Sequence, residues 1–191
     1  MFRPTPTPTP TPTLLAALAF VGVIGGCRQP TVGVQLVFPS EQAFLHAAVA
    51  RIDVYDGNDT GARSPDAICR SLSTNPPSPP GGVQLLTSAN AAVCEFAGGG
   101  VALDDVGVGR RVIFVEAEDF DGQAILRGCL VVDLFGDDET LAGNDAAVAS
   151  DLGANALVDV PLAILPAFPA GAPGACESIA DKCEEQVSCR P

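Results

Sequence analysis

Seven cysteines, one histidine and several clusters of carboxylates are the residues of this chain able to do chemistry. His46 is the single histidine, so any Ser-His-Asp or Cys-His machinery has to pass through it. It stands in the apolar stretch Phe44-Leu45-His46-Ala47-Ala48, at the entry to a strand-like run, with no G-x-S-x-G elbow elsewhere. A structural histidine is the expectation, and a His-rich metal centre is excluded. Ala97-Gly98-Gly99-Gly100 lacks the following Lys of a phosphate loop and reads as a plain turn. The same holds for Asn58-Asp59-Thr60, a formal glycosylation triplet better read as turn chemistry.

The acids gather as Asp53/Asp56/Asp59, Asp104/Asp105, Glu116/Glu118/Asp119/Asp121 and Asp133/Asp137/Asp138/Glu139. Two carboxylates facing across a sugar cleft can hydrolyse a glycosidic bond, so an acid-based hydrolase is one reading. The chain has no Trp and one Tyr, which removes the flat platforms on which sugars stack. Asp119 and Asp121 open a D-x-D-G run, the first part of a calcium loop, but the closing Glu at the required spacing is missing. These two are the calcium candidates of a third reading, calcium-dependent adhesion. No cofactor is expected.

The elements that position these groups read mostly as strands. Short apolar runs bounded by Gly, Pro, Asn and Asp dominate, and helical periodicity is scarce. Val32, Val34, Leu36 and Phe38 alternate in one run, and Ala48, Ala50, Ile52 and Val54 in the next. A long loop is expected from Asp56 through the Pro-rich Asn75 to Gly82. Strands follow at Val83 to Thr87, around Cys94 to Ala97, and at Val101 to Leu103. Arg111 to Glu118 and Gln123 to Leu134 form a β-hairpin about Asp119-Phe120-Asp121-Gly122, where Gly122 supplies the positive φ of the turn. Beyond an acidic loop from Phe135 to Asn155, the alternation of Ala156, Val158, Val160, Leu162 and Ile164 predicts a last strand, placed at an edge by Pro161. Pro166 to Gly174 reads as a linker, and Cys176 to Cys189 as one short amphipathic helix held by disulfides. The fold class is therefore all-β: an antiparallel β-sandwich with a short disulfide-linked C-terminal tail.

The N-terminus is organised differently. Arg3 is the only charged side chain before an apolar run from Leu14 to Gly26, and the first acid is Glu41. This is the polarity of a secretory signal, and the run falls short of the roughly 20 residues a bilayer core requires. A Thr-Pro repeat precedes it and cannot form helix. Ile24-Gly25-Gly26-Cys27 closes the run, and these four residues resemble the lipobox of bacterial lipoproteins. The resemblance implies cleavage before Cys27, diacylglycerol on its thiol and an acyl group such as palmitate on the new amine. Residue 28 is Arg rather than Asp, which by the same resemblance favours outer-membrane sorting. The organisation expected is then a signal peptide over 1–26, a lipidated tether over 27–31, a β-sandwich domain over 32–165 and a linker with Cys-rich tail over 166–191.

With Cys27 assigned to lipid, the remaining cysteines, Cys69, Cys94, Cys129, Cys176, Cys183 and Cys189, are even in number, and export favours disulfides. Sequence cannot choose among the pairings. Cys69 with Cys94 is preferred because closing the Pro-rich loop gains most, and at least one tail cysteine should reach back to the domain, Cys129 being a candidate partner. A zinc site from Cys176, Cys183 and Cys189 is disfavoured, since C-x6-C-x5-C lacks the short clamp of zinc modules.

A net charge of -13 and a single lysine, Lys182, argue against nucleic acid and against electrostatic docking on anionic lipid. Gly109 to Gly122 resembles the paired strands of transthyretin-like and carboxypeptidase-regulatory-like domains, which carry no catalytic residues; immunoglobulin-like is the other sandwich type considered. The expected function is a lipid-anchored cell-envelope protein whose non-enzymatic domain binds, adheres or assembles. Its partners are the bilayer through Cys27 and an unidentified envelope protein or surface ligand.

Overall fold

The computed structural model describes residues 31–134, 155–171 and 176–184. The signal run, Cys27 and residues 28–30 of the tether, most of the acidic loop, part of the linker, and Gln186, Val187 and Cys189 of the tail lie outside them. No described helix is long and apolar enough to cross a membrane.

The first alternating run forms β1 (Thr31–Val37), with Val32, Val34 and Leu36 buried. Ser40 then caps a helix, its hydroxyl accepting from the Ala43 amide at 3.1 Å. This α1 (Glu41–His46) occupies a stretch expected to lead directly into a strand. The second run forms β2 (Val49–Asp56). The segment after it, expected as a structureless loop, contains a 3-10 turn (Gly61–Arg63) and α2 (Pro65–Leu72). Ser64 caps α2 with Pro65 in its first turn, so residues read as a bend are a helix start.

β3 (Leu85–Ala92) begins later and runs further than the expected strand. Val93–Ala97, expected as a strand, is a short helix, α3, whose Glu95 carboxylate accepts from the Ala92 amide at 3.0 Å. β4 (Val101–Leu103) and the hairpin β5 (Gly109–Glu118) and β6 (Ala124–Leu134) match expectation. The expected last strand is two strands, β7 (Asn155–Pro161) and β8 (Ala163–Ile164), which enter different sheets around the buried Leu162. α4 (Ile179–Cys183) lies in the tail.

The fold is mostly β, in two sheets ordered β4-β1-β7 and β3-β2-β5-β6-β8. It is not purely antiparallel, because β1 and β7 pair in parallel over their full lengths. Parallel neighbours need a long crossover, and nearly the whole domain lies between these two. Nor is it purely β, given its four described α-helices.

The sheets share one core. Val32, Val34, Leu36, Val158 and Val160 of the small sheet meet Ala50, Ile52, Val54, Ile113 and Val115 of the large one. Gly128 sits where the chain between β7 and β8 crosses β6: a Cβ there would stand 2.5 Å from the Pro161 carbonyl oxygen. The crossing depends on that missing methyl.

The other face of the large sheet is covered in part by α2. Ile68 and Leu72 pack on Tyr55, Val112 and Phe114 in a second, smaller core.

Candidate functional site

The cysteines tie one helix to the large sheet and two helices to each other, in pairs other than the preferred one. Cys69 on α2 bonds Cys129 on β6, and Cys94 on α3 bonds Cys183 on α4. The expected Cys69–Cys94 bond fails because the segment after Cys69 is held by α2 against the far face of the sheet, where Cys129 points. A tail cysteine does reach back to the domain, but to α3. Cys176 is disulfide-bonded as well, which removes a Cys176/Cys183/Cys189 zinc site.

Among the described residues most of the acids are paired separately, Asp137, Asp138 and Glu139 lying outside them. Asp56 pairs with the buried Arg111 at 3.0 Å, Asp59 with Arg63 at 3.2 Å and Asp133 with Arg110 at 2.8 Å. The Asp119 carboxylate accepts from the amides of Asp121 and Gln123, both at 2.9 Å, so it closes the hairpin turn that Asp121 shares. Among the described residues no group of three His, Cys, Asp or Glu side chains is arranged to hold a metal ion.

The strongest polar constellation is a ladder across the outer face of the large sheet. β-pairing sets Arg51 of β2, Glu116 of β5 and Arg127 of β6 side by side. Arg127 donates from Nε to Glu116 Oε2 at 3.0 Å, donates from Nη2 to the same oxygen, and donates from Nη1 to the Thr74 carbonyl at 2.8 Å. Arg51 bridges Glu116 at 3.5 Å and Asp53 at 3.2 Å. Ser88 of β3 donates to Asp53 at 2.6 Å. Burial raises the Tyr55 phenol above its usual range, and the neighbouring Asp53 carboxylate raises it further.

Asp53 and Glu116 are thus the buried acids a hydrolase would use. Each is matched by a guanidinium, two cations against two anions, and the ladder is closed electrically. A glycosidase needs one carboxyl free to give a proton and room for water at the other. This ladder offers neither.

Next to it, a groove of about 570 Å³ runs between α2 and the β6–β8 edge, lined by the Cys69–Cys129 disulfide, Arg70, Ser73 and Arg127. That size suits a small ligand. No Asp or Glu lines it, and the Ser73 hydroxyl donates to the Cys69 carbonyl at 2.8 Å.

His46 is buried, with Nε2 3.1 Å from the Gly171 carbonyl and Phe168 edge-on at 5.1 Å. It anchors the segment after β8 to α1. Sequence reasoning missed the part played by Lys182. Its ammonium donates to the carbonyls of Phe44 at 2.6 Å, Leu45 at 3.1 Å and Ala47, the open acceptors at the end of α1, while Phe44 and Phe120 face it. Burial lowers its pKa from 10.5 to about 8. Its isolation as the chain's single lysine was the available signal.

No family model, no curated protein and no solved structure matches the chain. Function has to be argued from the residues.

Proposed function

We propose that the chain is a lipid-anchored cell-envelope protein, tethered through Cys27, whose mature part is a non-catalytic binding, adhesion or assembly module. One observation supports the tether: the apolar run from Leu14 closes on the lipobox-like Ile24-Gly25-Gly26-Cys27, four residues before the first described strand begins at Thr31. Three acyl chains on Cys27 hold such a domain at a membrane permanently, since each buried methylene contributes about 0.8 kcal/mol. Arg28 at the following position favours the outer membrane.

The two sheets around one core are consistent with a β-sandwich, and the Gly109–Gly122 hairpin with a transthyretin-like or immunoglobulin-like type. Binding is favoured over hydrolysis because the buried acids Asp53 and Glu116 are each engaged by arginine, and the groove has no acid in its wall.

The test is expression in a Gram-negative host fed a clickable palmitate analogue. The parent chain should take up label and sediment with membranes, and Cys27→Ser should do neither. Equal labelling of the Cys27→Ser chain defeats the proposal.

A further inference from the structure

β3 is an edge strand of the large sheet whose own residues lack the charge and proline by which sheet edges are protected, although its last amide, that of Ala92, is held by the Glu95 carboxylate. From Val83 to Val93 there is no charge and no proline, in a chain of net charge -13. The opposite edge, β8, has two residues and lies between Pro161 and Pro166. The small sheet ends in the three-residue β4 and in β7, which carries Asp159 and Pro161. Among the described sheet edges β3 is the long and neutral one, and no described strand pairs with its outer side.

Its outward groups follow from the pairing. The Val93 amide donates to the Ala48 carbonyl, and Ala91, Ala89 and Thr87 continue that register against Ala50, Ile52 and Val54. In an antiparallel ladder alternate residues turn their amides away from the partner. Here these are Ser88, Asn90 and Ala92, and with the Ala92 amide bound to Glu95 the amides of Ser88 and Asn90 are the ones left to pair. The Asn90 side chain is exposed and has no hydrogen-bond partner among the described residues. The Ser88 hydroxyl gives its proton to Asp53 and keeps lone pairs to accept with.

We propose that β3 pairs with β3 of a second copy of this chain, antiparallel, about a two-fold axis at Ala89. Both faces of the sheet are preserved only if opposed residues have the same parity, and the axis at Ala89 meets this condition. Ser88 then faces Asn90 of the other copy twice, each pair exchanging two main-chain hydrogen bonds, and the Asn90 amide reaches the Ser88 hydroxyl. Thr87 faces Ala91 on the core side. The β3 side chains nearest the axis are small and neutral, so the pairing strands themselves bring no like charges together. One strand pair is a small interface, so the dimer is weak and concentration-dependent. The inference rests on β3 and does not require the anchor.

The test uses purified full chain in mild detergent. Under mild oxidation Ala89→Cys should give a disulfide-linked dimer, because residue 89 faces itself, whereas Ala91→Cys, facing Thr87, should not. In sedimentation velocity the parent should gain mass with concentration and with salt, which screens the like charges. Asn90→Lys should weaken association at least tenfold while leaving the circular dichroism unchanged. A folded Ala89→Cys chain that gives no dimer overturns the proposal. So does cross-linking of Ala91→Cys as fast as Ala89→Cys, or a parent chain that stays monomeric at millimolar concentration in high salt.

Discussion

Replacing Glu116 by Gln leaves the Arg127 guanidinium in a nearly closed site with its counter-charge gone. Arg127 and Glu116 are each 7% exposed, and Arg127 is left with the Thr74 carbonyl and the face of the Phe114 ring. Arg51 keeps Asp53. Breaking a buried pair from one side costs about 3–5 kcal/mol, and Gln retains an acceptor, so about 3 kcal/mol is expected. Replacing both partners by Leu removes the unpaired charge along with the bond and should cost no more than about 1 kcal/mol. Arg110→Ala, which breaks the Asp133 pair, provides the contrast: Arg110 is half exposed, and an exposed pair is worth less than about 1 kcal/mol. Urea unfolding followed by far-ultraviolet circular dichroism is the suitable assay, since the chain has no Trp and one Tyr. The reasoning fails if Glu116→Gln costs under about 1 kcal/mol, or if the double Leu variant is less stable than either single one.

Other parts of the structure give equally definite expectations. Gly128→Ala puts a methyl against the Pro161 backbone and should cost about 2–3 kcal/mol in the same unfolding assay; an unchanged midpoint would show that β7 and β8 do not cross there. Converting Cys69 and Cys129 to Ser frees a loop with a sequence separation of 60, worth about 4 kcal/mol of unfolded-chain entropy, and should appear as a loss of that order in unfolding. Lys182 releases its proton near pH 8 when folded and near 10.5 when unfolded, so the unfolded chain holds more protons in that window. Stability of the parent relative to Lys182→Met should therefore rise from pH 8 to 10.5, by on the order of 2–3 kcal/mol. A flat difference would mean that the three carbonyls offset burial.

The strands were legible because a half-buried strand writes its exposure as alternation. Val32, Val34 and Leu36, or Val158 and Val160, do so without help from the rest of the chain. The hairpin was legible from its β-branched residues, Val112, Ile113 and Val115 against Ile125, Val131 and Val132, with Gly122 marking its turn. The short helices were not. α2 begins at Ser64-Pro65-Asp66, residues equally at home in a turn, and its apolar positions Ile68 and Leu72 make sense only against Tyr55 and Phe114. α3 has five residues, too few to show a period.

The ladder escaped for another reason. Glu116 was visible as one acid among many, but its match with Arg127 depends on a register that shifts between Ala117 and Glu118. A bulge of this kind moves every cross-strand neighbour by one place. The disulfides escaped because pairing follows the position of helices that sequence did not show. Cys27 needed no fold to be noticed: its signal is the local apolar run and the small residues beside it.

The intact mass of the protein extracted from the membrane fraction tests the anchor most directly. The account predicts a chain that begins at Cys27 and carries diacylglycerol on the Cys27 thiol and an acyl group on its amine. A mass that retains residues before Cys27, or one that begins at Cys27 without lipid, would contradict it.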